Sequence, residues 1–177
     1  MLAWLAARQG AQRSDTIFTY NRILQEDDSL GILWPITASE LAIEYLLDDR
    51  LEAAAYYAQA AMEHIEGFVP RRSGSTSAYL VILTNAAYFY RKSQNYQSAC
   101  KLAQEGIDLS RQKYIIGLID KLYINLAYAL AGTERRWNGE AIKALHMAYA
   151  FASHINNQEI CQEAETELRK QGWLQYS

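Results

Sequence analysis

Proline, cysteine and long apolar runs are all scarce in this chain of 177 residues. Only two prolines occur, Pro35 and Pro70, and both stand where a helix could begin or end. Because proline disrupts helix interiors, so few prolines among abundant Ala, Leu, Gln and Glu favour an all-α fold. Half of the residues are hydrophobic, which is enough to bury a core in a chain of about one domain's length.

The scarcity of cysteines and of long apolar runs also indicates where the protein resides and what it does not bind. Cys100 and Cys161 form no CxxC pair, and two distant cysteines are typical of reduced thiols in a cytosolic protein. The first ten residues have no basic n-region of a signal peptide, and no apolar run approaches the ~20 residues that span a membrane. The formal net charge of −3 lacks the basic excess of a nucleic-acid binder. We therefore expect a cytoplasmic protein that contacts neither membrane nor nucleic acid.

Catalytic and metal-binding motifs are missing from the sequence as well. It holds no HExxH, P-loop or GxSxG motif and no Gly-rich turn after a strand. His146 and His154 are too far apart in sequence for an i, i+4 ligand pair, and His64 stands alone. The acidic pairs at 27–28 and 48–49 fall at predicted helix ends rather than in a catalytic arrangement. We predict a protein that is not an enzyme and has no cofactor or metal.

What the chain does have is an internal repeat of small and bulky residues. Residues 84–107 place these side chains at successive steps of 3, 6, 3, 4 and 3, and residues 41–64 use the same steps. A third copy over 124–148 fits once two extra residues are allowed in its turn. The copies are offset by 45 and 40 residues, longer than the minimal two-helix unit of about 34 residues. The repeated positions are Ala42, Tyr45, Leu51, Ala54, Ala58 and Ala61, then Ala87, Tyr90, Tyr96, Ala99, Ala103 and Gly106, then Ala127, Leu130, Trp137, Ala141, Leu145 and Ala148.

This template suits two antiparallel helices that pack closely. Small residues where the helices cross let the backbones approach, and the bulky residues fill the space beside them. The pattern resembles the tetratricopeptide repeat (TPR) over about residues 36–154. The resemblance implies one domain over 1–177, a right-handed superhelical solenoid of antiparallel helix hairpins with about nine helices. Its parts would be a partial N-terminal repeat over 1–35, repeats over 36–66, 75–111 and 116–154, and a C-terminal capping helix over 157–172.

The helices are predicted from apolar residues that recur about every 3.6 positions and from residue types typical of helix ends. Residues 2–8 and 14–25 predict a shortened helix and its partner in the partial repeat. The helices of the three repeats are predicted at about 36–48, 50–65, 75–93, 95–111, 116–131 and 138–153.

In this repeat class, the first helix of each pair lines the concave surface, where a ligand would bind. Asn85 and Asn125 occupy equivalent positions, and so do Tyr88 and Tyr128. An amide both donates and accepts hydrogen bonds, as a peptide backbone requires, and tyrosine offers a large contact area. The basic residues of the set could hold a carboxylate. The predicted peptide- or protein-binding residues are Ser39, Ile43, Thr84, Asn85, Tyr88, Arg91, Lys121, Asn125 and Tyr128.

The Asn and Tyr residues of this surface could instead only maintain the repeat. If they bind a ligand, two TPR subfamilies match the surface in part. The carboxylate-clamp TPRs, which hold chaperone tails, are matched at Asn85 and Lys121. They are not matched at Ser39, Ile43 and Asn125. The chain is more similar to the cytosolic peptide receptors of bacterial quorum sensing, of the Rgg, PlcR and Rap type. That resemblance implies that Asn85 and Asn125 hold the backbone of a short peptide.

Two functions therefore stand open on the sequence. The first is a non-enzymatic TPR module that binds a protein or a short peptide in a concave groove, as a peptide-sensing regulatory domain would. The alternative is a structural adaptor or self-assembling subunit, because an incomplete first hairpin would leave apolar surface for a second chain, as in a homodimer. The predicted interface residues of that alternative are Leu2, Trp4, Leu5 and Ile17.

Overall fold

The computed structural model describes residues 12–26, 31–66 and 73–174, and every regular element in these ranges is an α-helix. The all-α prediction is therefore confirmed for the described chain. The predicted helix boundaries agree with the structure to within about three residues. The predicted helix over 2–8 lies outside the described residues. The eight helices are α1 Arg13–Glu26, α2 Leu33–Leu47, α3 Leu51–Ile65, α4 Ser73–Lys92, α5 Tyr96–Lys113, α6 Ile119–Glu134, α7 Gly139–His154 and α8 Gln158–Lys170.

Contacts divide the chain into two compact units, unit 1 over Met1–Asn85 and unit 2 over Ala86–Ser177, with the boundary inside α4. In unit 1, α2 and α3 pack together across a short turn, and α1 packs on α2. In unit 2, α6 packs against both α5 and α7, and α8 lies on α7 with a smaller contact to α6. That the whole chain forms one repeat domain stays a prediction. None of the described helices is long and apolar enough to cross a bilayer.

Small residues of the repeat template lie where neighbouring helices approach. Ala54, Ala99 and Ala141 are completely buried. Gly106 is the clearest case, because a Cβ on it would lie 2.6 Å from Cδ2 of Leu122. These positions confirm the packing role that the template predicts for them. Leu51 departs from the template, since its side chain is 58% exposed at the first position of α3.

The core of unit 1 joins α2, α3 and the first part of α4. Ala38, Ala61, Ile65 and Ile82 form its buried centre. A polar link ties α1 to this pair, because Asn21 donates to the hydroxyl of Tyr45 at 2.8 Å and accepts from the hydroxyl of Tyr57 at 2.9 Å. The two tyrosine rings stack with centroids 5.6 Å apart.

Side-chain caps and a buried carboxylate set the turns of unit 2. Asn95 caps α5 by accepting from the backbone N–H of Ser98, and Asn138 caps α7 by accepting from that of Ala141. Asp120 in the first turn of α6 is completely buried and accepts a 2.7 Å hydrogen bond from the Asn157 amide in the α7–α8 turn. The caps mark where α5 and α7 begin, and the Asp120–Asn157 hydrogen bond ties the first turn of α6 to the start of α8.

Candidate functional site

Four side chains of unit 2 meet where α4, α6 and α8 come together, and we call them the tyrosine–arginine cluster: Tyr88, Arg91, Tyr128 and Glu163. Tyr88 and Arg91 are three residues apart on α4, so they share one helix face. The Arg91 guanidinium lies 4.7 Å from the ring centroid of Tyr128 and 5.1 Å from that of Tyr88. It also pairs with the Glu163 carboxylate at 3.5 Å.

Arg91 is a buried cation, with only 8% of its surface exposed. Its Nε has no hydrogen-bond partner among the described residues. The negative faces of two aromatic rings and one carboxylate therefore replace most of the water that such a charge would otherwise hold. This arrangement fixes both tyrosines in place.

Both tyrosines of the cluster keep their phenol protons over the ordinary pH range. Burial, with smaller contributions from Glu163 and Glu167 against an opposing one from Arg91, raises the pKa of Tyr128 to about 12. Burial also raises the pKa of Tyr88. A neutral phenol can both donate and accept a hydrogen bond. The Tyr128 hydroxyl is hydrogen-bonded to Glu163, so the Tyr88 hydroxyl is the one better placed to meet a polar ligand group.

A depression of about 310 Å³ opens beside Tyr128, and we call it the Trp137 depression. The ring of Trp137 meets that of Tyr128 edge to face, with centroids 5.3 Å apart. Gly132 lets Tyr96 approach from α5, because a Cβ on Gly132 would lie 2.5 Å from the Tyr96 ring. Three aromatic side chains, from α5, α6 and the turn between α6 and α7, thus surround one hollow.

Cations surround the same depression. Arg135, exposed just after α6, has no ion pair within the described ranges. Arg136 pairs with Glu134 at 3.5 Å and Lys170 with Glu167 at 3.6 Å, but both basic side chains are more than two-thirds exposed. Such exposed pairs are weak, so these cations remain available to an incoming carboxylate.

No protein-family model, curated protein or solved structure matches this chain. Its function has to be inferred from the repeat pattern and from the geometry of these side chains. Within the described ranges, no group of three or more His, Cys, Asp or Glu side chains is placed to hold a metal ion.

The structure brings some predicted site residues together in unit 1. The Asn85 amide donates to the hydroxyl of Ser39 at 3.1 Å and to the carboxylate of Glu40 at 3.2 Å. The hydroxyl of Thr84 donates to the Leu80 carbonyl within its own helix. These donors are engaged by the chain itself, which favours a packing role over capture of a peptide backbone. Their predicted binding role stays a prediction.

The remaining predicted residues are scattered by comparison. Asn125 is buried at 2% exposure, whereas Lys121 and Ile43 are half-buried. Of the predicted oligomer interface, Ile17 is buried at 8% exposure. Its other members, at positions 2, 4 and 5, lie outside the described residues.

Glu163, Trp137 and the rim cations of the depression are the functional candidates that sequence reasoning missed, whereas Tyr128 is among the predicted residues. Trp137 is recognisable only as a packing aromatic of the third repeat, and Arg135–Arg136 only as solvated loop charges. A signal was available, because basic pairs recur at 91–92, 135–136 and 169–170, where α4, α6 and α8 end. Basic pairs at the same end of alternate helices indicate that these helix ends lie along one edge of unit 2.

Proposed function

We propose that this chain is a non-enzymatic, TPR-like helical-repeat module that binds a segment of a protein in the cytoplasm. In this proposal the helix pairs form a right-handed solenoid, and the first helices of the pairs supply the binding surface. The observation that carries the proposal is the Trp137 depression, with the tyrosine–arginine cluster beside it.

The chemistry of this surface is that of a protein-binding site. Aromatic and arginine side chains contribute most of the energy at protein interfaces, because they bury large areas at little entropic cost. Tyr128 belongs to both the cluster and the depression, and Arg91 fixes its ring from the buried side. A preorganised wall reduces the ordering cost of binding. An extended segment can place an apolar side chain against Trp137 and Tyr128 and polar groups toward the Tyr88 hydroxyl and the rim cations.

Replacing Trp137 tests this function directly. We expect wild-type protein to enrich related sequences from a phage-displayed random-peptide library. Trp137→Ala should weaken binding of a selected synthetic peptide at least tenfold, or about 1.4 kcal/mol, measured by calorimetry. Tyr114→Ala is the matched control, because Tyr114 is an aromatic of unit 2 that is 93% exposed outside the depression.

Circular dichroism must show that both variants keep the wild-type helix content. Failure of the library to converge, or full peptide affinity in a folded Trp137→Ala protein, would contradict the proposal. Equal losses in both variants would also contradict it, because they would not be specific to the depression.

A further inference from the structure

The charges that follow the helices differ between the two units. In unit 2, α4 and α8 end with basic pairs, at 91–92 and 169–170, and a basic pair at 135–136 directly follows α6. In unit 1, α2 ends at Leu47 and is followed by an acidic pair, Asp48 and Asp49. The negative end of a helix dipole favours cations and disfavours carboxylates. The dipoles of α4, α6 and α8 thus favour the basic pairs at their ends, whereas the dipole of α2 disfavours the acidic pair that follows it.

Residues Leu47–Leu51 form a protruding turn, which we call the acidic turn. Leu47 is 45% exposed and Leu51 58% exposed, on either side of the exposed Asp48 and Asp49. Neither carboxylate has an ion pair within the described ranges. Two cations lie near the turn without pairing with either carboxylate. Arg50 lies over the Tyr45 ring, and Arg13 pairs with Glu44 and donates to the Leu47 carbonyl at 2.8 Å. The turn therefore presents two leucines beside two carboxylates that form no ion pair with the described residues.

The Trp137 depression has the complementary character. Its walls are largely aromatic, and its rim carries three cations, Arg135, Arg136 and Lys170, against one carboxylate, Glu167. The difference in charge extends to the whole units. Residues 1–85 hold six Lys or Arg and eleven Asp or Glu, whereas residues 86–177 hold eleven Lys or Arg and nine Asp or Glu. The net charges are −5 and +2, so unit 1 of one molecule attracts unit 2 of another.

We propose that the acidic turn of one copy binds the Trp137 depression of a second copy. The leucines of the turn lie against Trp137 and Tyr128, and Asp48 and Asp49 pair with the rim cations. This inference rests on the proposed function, because it names the protein segment that the depression binds. The two surfaces are different, so the contact is head-to-tail and can extend beyond a dimer.

Sedimentation velocity at low and high salt is the first test. We expect wild-type association to increase with concentration at low salt and to weaken at least tenfold at high salt, because salt screens exposed charges. Asp48→Lys/Asp49→Lys and Arg135→Glu/Arg136→Glu should each abolish it by opposing like charges. An equimolar mixture of these two variants should associate again, since each then meets an opposite charge on the other.

Two matched controls carry the same changes of charge elsewhere. Glu63→Lys/Glu66→Lys changes exposed residues at the other end of α3, and Lys101→Glu/Lys143→Glu changes exposed lysines of α5 and α7. Because both leave the acidic turn and the rim cations intact, both should retain most of the association that the reversals at those two surfaces abolish, and all variants should show wild-type circular dichroism. If a charge-reversed variant unfolds, a neutral variant is measured in its place. These variants are Asp48→Asn/Asp49→Asn and Arg135→Gln/Arg136→Gln, and each should weaken association at least tenfold.

The outcomes separate this inference from the proposed function. A monomeric wild type at low salt, or association that survives both charge reversals or fails to return in the mixture, overturns the self-association. Peptide binding through Trp137 in such a protein would leave the proposed function standing. Loss of both properties would remove both.

Discussion

At the scale of single residues, Arg91 decides the shape of the candidate site. Its charge is buried between the rings of Tyr88 and Tyr128 and is met by Glu163 from α8. A sequence pattern that places Arg91 on an exposed binding face predicts a free cation for a ligand carboxylate. The structure shows that this cation already has a partner in Glu163, which also hydrogen-bonds to the Tyr128 hydroxyl, so what remains for a ligand is the Tyr128 ring and the Tyr88 side chain.

Tyr128 makes stability depend on pH in the alkaline range. Its pKa is raised from 10.0 to about 12 in the folded chain, chiefly by burial. Between these two values the unfolded chain loses the phenol proton while the folded chain keeps it, so the free energy of unfolding falls as pH rises. Below pH 10 this contribution is fully present. Because the ring is partly exposed, we expect a loss of about 1 kcal/mol rather than the full shift.

Urea unfolding at a series of pH values measures this loss, with Tyr128→Phe as the variant and Tyr114→Phe as the exposed control. The decline between pH 10 and 12 should be shallower in Tyr128→Phe and unchanged in Tyr114→Phe. Identical slopes in wild type and Tyr128→Phe would show that the Tyr128 phenol titrates normally.

At the scale of the elements, the approach of neighbouring helices depends on glycine and alanine at a few positions. Tyr96 lies against Gly132 of α6, and Leu122 of α6 lies against Gly106 of α5. The first contact also builds one wall of the Trp137 depression. The packing of α5 on α6 and the form of the candidate site therefore have the same cause.

Gly106→Ala should destabilise the protein although alanine is the better helix former. The added Cβ would lie 2.6 Å from Cδ2 of Leu122, and because this side chain is completely buried, moving it disturbs its packed neighbours. We expect overpacking to outweigh the propensity gain of up to about 1 kcal/mol, for a net loss of about 1–2 kcal/mol by urea unfolding. Gly139→Ala, with nothing within 4 Å of its added Cβ, should not be destabilised.

An unchanged midpoint for Gly106→Ala would mean that α5 and α6 can separate without cost. A loss of similar size in Gly139→Ala would mean that the added methyl group acts outside the native packing.

At the scale of the whole molecule, the chain holds two units of opposite net charge, each with buried apolar side chains of its own. Ile82 belongs to the core of unit 1, and Leu145 is completely buried in unit 2. In helical-repeat proteins stability is distributed over local packing, so a defect acts most strongly near its own site. This organisation allows local stability to be measured unit by unit.

Hydrogen exchange should therefore respond locally to core truncation. Ile82→Ala should speed amide exchange in α2 and α3 more than in α6 and α7, and Leu145→Ala should do the reverse. Each cavity should cost about 2–5 kcal/mol of local stability. Mass spectrometry of peptic fragments resolves the two sets of helices. If either variant accelerates exchange equally in both units, the chain unfolds as one cooperative body.

The amino-acid sequence by itself determined the helices and the small residues that pack between them. Helix periodicity and capping are local, so the predicted boundaries lie close to those of α2 to α8. Burial of Ala54, Ala99 and Ala141 follows from the same spacing, because a helix crossing admits only small side chains there.

Only the tertiary structure decided which polar side chains remain available to a partner. Asn85 and Arg91 appear free on one helix, but Ser39 and Glu163 come from distant segments and engage them. The sequence assigns Trp137 only a packing role. The structure places Tyr128 and the rim cations around it. Such pairings depend on how helices meet across long sequence separations, and a local periodicity carries no information about them.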